Sequence, residues 1–322
     1  MRGIAIRAGI AAIVAIAAFG ILVAVLNATV LSASGYVESY LAALQRQDAA
    51  TALELAGEPP ATSRRTDLLV DAAIVPVNAT EVTAGEEVNG VTPVDVAFEV
   101  DGRSAITTFS LQRTGALFGI FSTWGFVESP LSTVEITVMH TTEFTANGIA
   151  LRTPEQDRPV RYLVFSPGFL TLEHESSLLV AAPETVLVDS ASTRAQLNAE
   201  ASESFVAQVQ TEVDAYLAQC ASQQVLMPSG CPFGQPMADR IVSPPAWSIV
   251  SSPVITLDPT STPGVWTTPT APGVARLVVD VKSIYDGDVD TFDEPVTFSV
   301  GFTVTFVGAR EIELTPRFAS QG

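Results

Sequence analysis

Residues Ala8 to Leu26 form 19 consecutive positions without a charge or a strongly polar side chain. A helix needs about 20 such residues to cross a hydrocarbon core about 30 Å thick. Arg2 and Arg7 precede the run, and the first acid after it is Glu38. Positive charge is retained on the cytoplasmic side, so this segment predicts a single-pass anchor in the plasma membrane, with lipid around residues 8–26 and the N-terminus inside. The rest of the chain would then be extracytoplasmic. A cleaved signal peptide is the competing reading. Its apolar region is usually about 7–15 residues and ends at a small-x-small site, whereas the nearest such site here, Ser32-Ala33-Ser34, lies beyond a longer run. No Cys follows closely, which excludes a lipoprotein.

Cysteine usage fits an exported chain. Cys220 and Cys231 are the only two, 11 positions apart, with Pro228, Gly230 and Pro232 around them. In an oxidising compartment they are expected to pair. Charge narrows the function: 35 acidic against 16 basic residues give a net charge of -19, and Lys282 is the sole lysine. Nucleic-acid binding needs patches of Lys and Arg, so no nucleic-acid partner is expected.

After the anchor, Val37, Tyr40, Leu41 and Leu44 recur at helical spacing. Asp48 opens a second short helix through Leu53 and Ala56, which Gly57 and Pro59-Pro60 stop. From Leu68 to Val138 the pattern turns to strands. The runs Val94–Val100 and Ile106–Leu111 flank Asp101-Gly102-Arg103 as a hairpin, and an apolar run from Leu117 to Phe121 leads to Trp124. Between Ser132 and Asp189, Val134–Met139, Arg161–Phe165 and Leu178–Val180 are short strand candidates, with turns at Asn147-Gly148 and Pro167-Gly168. That spacing predicts a small β-sandwich. Thr193 to Cys220 reads as one long helix with a capping box at Thr193 and Gln196. A Pro/Ser/Thr-rich stretch, Ser243 to Gly273, then precedes strand runs Ala275–Tyr285 and Val296–Phe306, joined by an acidic loop, Asp286 to Glu294, and followed by Glu311–Thr315. The expected class is α+β in four segments: anchor 1–34, helix-plus-sheet module 35–131, β-sandwich 132–190, and a second helix-plus-sheet module with the disulfide, 191–322. Val37–Ala42 and Val213–Ala218 share a pattern, which either chance or an internal repeat of the two modules explains.

The helix Tyr40-Leu41-Ala42-Ala43-Leu44, then Asp48 and Ala52-Leu53, followed by curved antiparallel strands, resembles the opening of NTF2-like α+β cone domains. An anchor, such a module, a small β-domain with a Pro-Gly turn and a second helix–sheet module are together similar to uncharacterised exported proteins of actinobacteria. More distantly the layout resembles the teicoplanin-resistance-associated membrane protein family of Gram-positive envelopes. The zinc-ribbon head of that family is missing, because no Cys precedes the anchor. The resemblance covers layout and transfers no functional residue.

Common catalytic signatures are absent. Lys282 follows Val281, so there is no Walker A loop, and position 279 is Val, so there is no Ser-x-x-Lys pair. Gly-x-Ser-x-Gly, Gly-x-Gly-x-x-Gly and His-Glu-x-x-His do not occur. Of the two histidines, His140 reads as a strand-end residue. His174, in Glu173-His174-Glu175, reads as an exposed strand position rather than a general acid, since no nucleophile accompanies it. Asp286, Asp288 and Asp290 alternate in the acidic loop. They either offer oxygens to Ca2+ or form a solvated hairpin loop; the EF-hand pattern fails at Thr291 and Thr297, and the solvated loop is the stronger reading. Trp124 reads as core. Trp247 and Trp266 bracket the Pro/Thr-rich stretch and either line a binding face or pin that stretch to the body. No organic cofactor is implied. The reading favoured is a binding module for an envelope protein or cell-wall component, against a carboxylate enzyme in a cone-shaped cavity and against a passive spacer.

Overall fold

A computed structural model describes residues 2–57, 64–100, 103–189 and 192–318. The expected Asp101-Gly102 turn and the Pro59-Pro60 stop lie outside these residues. The chain is α+β, with helices first, then antiparallel sheets and one further helix. It divides into two compact units, residues 1–138, 143–173 and 183–197 in the first and 139–142, 174–182 and 198–322 in the second.

The first unit begins with α1 (Arg2–Ala28), α2 (Ala33–Gln45) and α3 (Ala49–Ala56). From Ile13 on, α1 leaves Ile13, Ile16, Phe19, Ile21, Leu22 and Val25 exposed. Counted from Ile13, where its side chains are described, α1 alone is not long and apolar enough to cross a membrane, and no other single described helix is either. Ile13–Ala28 together with α2, bent by 60°, meets that requirement by length and composition. Yet α2 has a core role. Its Val37, Tyr40, Leu41 and Leu44, spaced i, i+3, i+4 and i+7, are all buried. Ser32 caps it by accepting from the Gly35 amide. Asp48 caps α3 as expected, accepting from the Thr51 amide and hydroxyl, and these bonds hold its carboxyl below the usual range. Gly57, at φ 76°, ends α3.

Four strands form a meander in the order β1 (Asn78–Ala84), β2 (Val91–Val100), β3 (Arg103–Leu117), β4 (Phe121–Phe126). Alternation puts Val94, Val96 and Phe98 of β2 and Phe109 and Leu111 of β3 on the face that packs with α2 and α3. Tyr40, Phe109 and Phe126 meet edge-on, with ring centroids 5.4–6.3 Å apart. These rings fill the space between helices and sheet. The apolar run Leu117–Phe121 spans the end of β3, the turn at residues 118–120 and the start of β4.

β5 (Leu131–Met139), β6 (Glu143–Ala146), β7 (Ile149–Arg152), β8 (Pro159–Phe165), β9 (Gly168–Glu175), β10 (Leu179–Val188) and β11 (Ser192–Asn198) follow. β11, β5 and β8 form one antiparallel sheet, and β10, β9, β6 and β7 run side by side in another. Asn147-Gly148 makes the expected turn, with φ 47° and 78°, and the bond preceding Pro167 is cis. On β5 and β8 one face carries Val134, Ile136 and Tyr162 into the core.

In the second unit β12 (Glu200–Ala201) precedes α4 (Glu203–Ala221). The expectation of a helix from Thr193 is corrected. Residues 192–198 form a strand in which Ala195 and Leu197 are buried between exposed neighbours, a period of two. The helix cap is Ser202, accepting from the Phe205 amide, not Thr193. Phe205, Val209, Val213, Leu217 and Cys220 form the buried stripe of α4. β13 (Arg240–Ile241), β14 (Ala246–Ser251), β15 (Asp258–Pro259), β16 (Val265–Thr267), β17 (Ala271–Lys282), β18 (Val289–Phe306) and β19 (Ile312–Phe318) build the remaining sheet around the long β17–β18 pair. The Pro/Ser/Thr-rich stretch therefore contains β14, β15 and β16. The acidic loop shrinks too: β18 starts at Val289, so Asp290, Asp293 and Glu294 are strand residues paired with β17.

Candidate functional site

The most distinctive polar surface lies on the β11–β5–β8 sheet of the first unit. Side chains two apart on β5 share a face, so Leu131, Thr133 and Glu135 line up along it, and Arg161 stands directly across from Glu135 on β8. At one end of this face Leu131, Leu163 and Phe165 enter the core under α2. At the other end the cover is gone and charges replace the apolar residues. Arg161 contacts Glu135 at 3.1 Å, and Arg194 of β11 contacts its other carboxylate oxygen at 3.4 Å.

A third arginine, Arg64, is brought in by its neighbour Arg65 in the segment before β1. The Arg65 amide donates to Arg161 O (2.9 Å) and the Leu163 amide to Arg65 O (2.8 Å), a parallel bridge onto β8. The Arg65 side chain is engaged: it donates twice to Asp67 (2.9 and 2.8 Å) and once to Arg152 O (2.7 Å), and lies 5.3 Å from the Tyr162 ring centre. The Arg65 guanidinium holds the Asp67 carboxyl below its usual range, and burial pushes the Tyr162 phenol up. The bridge thereby places Arg64 beside Arg161.

The result is an open groove of about 410 Å³ lined by Arg64, Thr133, Glu135, Arg161, Ser192, Thr193 and Arg194. Three guanidiniums against one carboxylate leave two net positive charges, in a chain whose total is -19. Arg194 and Arg161 are 89% and 64% exposed. The two guanidiniums are exposed, and such pairs contribute about 0–1 kcal/mol each, so the half-buried Glu135 accounts for one arginine but not for three. Its planar forks match the oxygens of a carboxylate or phosphate.

The residues singled out from sequence are placed as follows. Cys220 and Cys231 are bonded, closing the end of α4 onto the following loop. Tyr216 stands one turn earlier, donates to Gly230 O in that loop, and has its phenol pushed up by burial to about 12. Asp286 lies in the β17–β18 turn, where bonds from Ser283 and the Asp288 amide lower its carboxyl, while Asp290 sits in β18. Among the described residues no three His, Cys, Asp or Glu side chains converge as a metal-holding group. Trp247 and Trp266 form no exposed face: both are buried in the second unit's core. Trp247 packs on Phe233 and donates to Val225 O, and Trp266 meets Phe205 and His140 edge-on. Their strands, β14 and β16, turn these rings inward. Trp124 is half-buried against the first core. His140 follows β5, with its ring Nδ1 2.9 Å from Ala199 O. His174 is buried, not exposed, and alternation turns it away from Glu173 and Glu175.

The arginine groove was not found from sequence, because its members lie at 64, 133–135, 161 and 192–194 and only strand pairing joins them. The crowding of Arg152, Arg158 and Arg161 within ten positions points to only one groove member, Arg161, since the other two pair with Glu143 and Glu155. Comparison with known proteins finds no matching family model, no matching curated protein and no matching solved structure.

Proposed function

We propose that this chain is a single-pass, membrane-anchored extracytoplasmic protein that works by binding, and that the arginine groove on the β11–β5–β8 sheet receives an anionic group of an envelope component. The groove carries this reading. It concentrates positive charge on an acidic molecule, and its side chains suit carboxylate or phosphate.

The anchor rests on α1, whose apolar side chains from Ile13 to Val25 face outward. Residues after it are built into the fold: Ser32 caps α2, Ala33 is buried, and Trp124 donates to Leu31 O at 2.8 Å. Cleavage at Ser32-Ala33-Ser34 would remove all three, which favours a retained anchor over a cleaved signal. The disulfide fits an oxidising compartment. The NTF2-like reading of the first module, with the β-sandwich and a second helix–sheet module after it, is part of this proposal and draws on α2 and α3 packed on a four-stranded meander.

Binding is preferred to carboxylate catalysis because the space between α2 and the four-stranded sheet is packed with apolar side chains. Tyr40, Phe98, Phe109 and Leu111 occupy it, and the void near Leu44, Leu68 and Phe165 measures about 20 Å³, little more than one water. Among the described residues no Asp or Glu is buried, and burial is the usual means of tuning a catalytic carboxyl. The test is calorimetric titration of the full-length protein in detergent with a soluble phosphodiester oligomer and a carboxylated oligosaccharide. Binding of either by the wild type, lost in Arg161→Ala/Arg194→Ala, is expected. Equal affinity in both proteins, or no binding of either probe, refutes the groove.

A further inference from the structure

The β3–β4 hairpin ends in a feature that folding does not explain. Phe118, at φ 54°, leads its turn, followed by Gly119 at 72°. An aromatic residue is unusual at positive φ, where Gly or Asn is preferred, and Phe118 is 84% exposed. Leu117 and Ile120 beside it are 56% and 41% exposed, and the whole run Gly115–Phe121 lacks charge. Apolar side chains held out in water contribute nothing to a core.

The hairpin is fixed at the end of α1. The Asn27 side-chain amide donates to Ile120 O at 2.7 Å, and the Ser122 amide donates to the Asn27 side-chain oxygen at 2.9 Å. Asn27 is the first polar residue after the apolar run that ends at Leu26. The tip is thus held at the level where α1 leaves its apolar stretch. Next in the outward direction come Trp124, bonded to Leu31 O, and Arg113, whose guanidinium lies 5.1 Å from the Trp124 ring centre. Tryptophan and arginine are the residues that occupy the headgroup layer beside a membrane span.

We infer that Leu117, Phe118 and Ile120 enter the interfacial layer of the bilayer that α1 crosses, giving the first unit a second lipid contact that limits its tilt and rotation. This rests on the anchor reading above. Asn27 is the coupling element: its two bonds align the tip with the membrane boundary, so a lipid surface is the occupant the geometry favours.

The experiment uses full-length protein reconstituted in phosphatidylcholine–phosphatidylglycerol vesicles containing spin-labelled acyl chains. An environment-sensitive fluorophore is attached at Phe118→Cys or, as reference, at Ile106→Cys, a side chain 67% exposed at the end of β3 away from the tip. One label per chain confirms that the native disulfide is intact. The Phe118 probe should shift its emission to the blue and lose more than half its intensity, while the Ile106 probe keeps both. Co-flotation with vesicles but an unquenched Phe118 probe would overturn the inference and leave the anchor standing. Failure to float would overturn the anchor and this inference with it.

Discussion

Tyr40→Phe tests the packing of the first unit at a single atom. Tyr40 is fully buried between α2 and the sheet, and its hydroxyl donates to Ser166 O at 3.0 Å. Ser166 is itself buried, so the variant keeps the ring contacts and leaves a buried carbonyl without that donor. Such a loss costs about 1–3 kcal/mol, or about 2–4 °C of melting temperature per kcal/mol in a domain of this size. Burial also pushes the Tyr40 phenol far above its ordinary value. A group with a raised folded-state pKa contributes stability that is complete below the unfolded value, about 10 for tyrosine, and is lost as pH rises. At pH 11 the unfolded chain gains about 1.4 kcal/mol by ionising Tyr40 while the folded chain does not. Phenylalanine has no proton to lose, so the variant's deficit should shrink by about that amount between pH 7 and pH 11. Urea unfolding monitored by tryptophan fluorescence at both pH values reads this directly. An unchanged midpoint at pH 7, or a deficit identical at both pH values, refutes the reasoning.

Three further outcomes are expected. Cys220→Ser/Cys231→Ser opens a loop of sequence separation 11 and should destabilise the protein by about 3 kcal/mol in the chain-entropy model; a loss under about 1 kcal/mol by denaturant titration would contradict that model here. Arg161→Ala/Arg194→Ala should shift stability by no more than about 2 kcal/mol, about 1 for each pair with Glu135, because both guanidiniums are exposed, and a larger loss in thermal melts would make the groove structural. Calcium at millimolar concentration should leave the melting temperature unchanged, since Asp286, Asp288 and Asp290 form no convergent group; a rise abolished by Asp288→Ala would reverse this.

Where the apolar period was unambiguous, structure could be read from sequence. Val37, Tyr40, Leu41 and Leu44 fit only a helix, and Val94, Val96 and Phe98 fit only a strand. Residues 193–201 satisfied both periods. Leu197 and Ala201 match a helical stripe that continues through Phe205, but Ala195, Leu197 and Ala199 alternate, and pairing with a neighbouring strand decided between them. Leu117–Phe121 shows that apolar residues need not be buried: Leu117, Phe118 and Ile120 are exposed because they stand at the β3–β4 turn. Composition misled at Ser243–Gly273, because β14 and β16 need only a few inward residues, Trp247 and Trp266 among them, to belong to a sheet. The arginine groove was the least legible, since Glu135 and Arg161 become neighbours only through the β5–β8 register.

The junction after α1 allows the anchor and the fold to be tested together. If residues 29–34 served only as a spacer, a chain starting at Gly35 would be as stable as one starting at Thr29. The structure gives them three tasks. Ser32 caps α2, and losing such a cap costs about 1 kcal/mol. The Trp124 indole loses its bond to Leu31 O, about 1 kcal/mol more. Ala33 leaves the core, where it is 3% exposed, at a cost of about 0.5–1 kcal/mol by the area of one methyl group. The shorter chain should therefore be less stable by about 2–3 kcal/mol, with the deficit confined to the first unit's unfolding transition. Equal stability of the two chains would mean that the junction is not built into the fold, and would remove the structural objection to cleavage at Ser32-Ala33-Ser34.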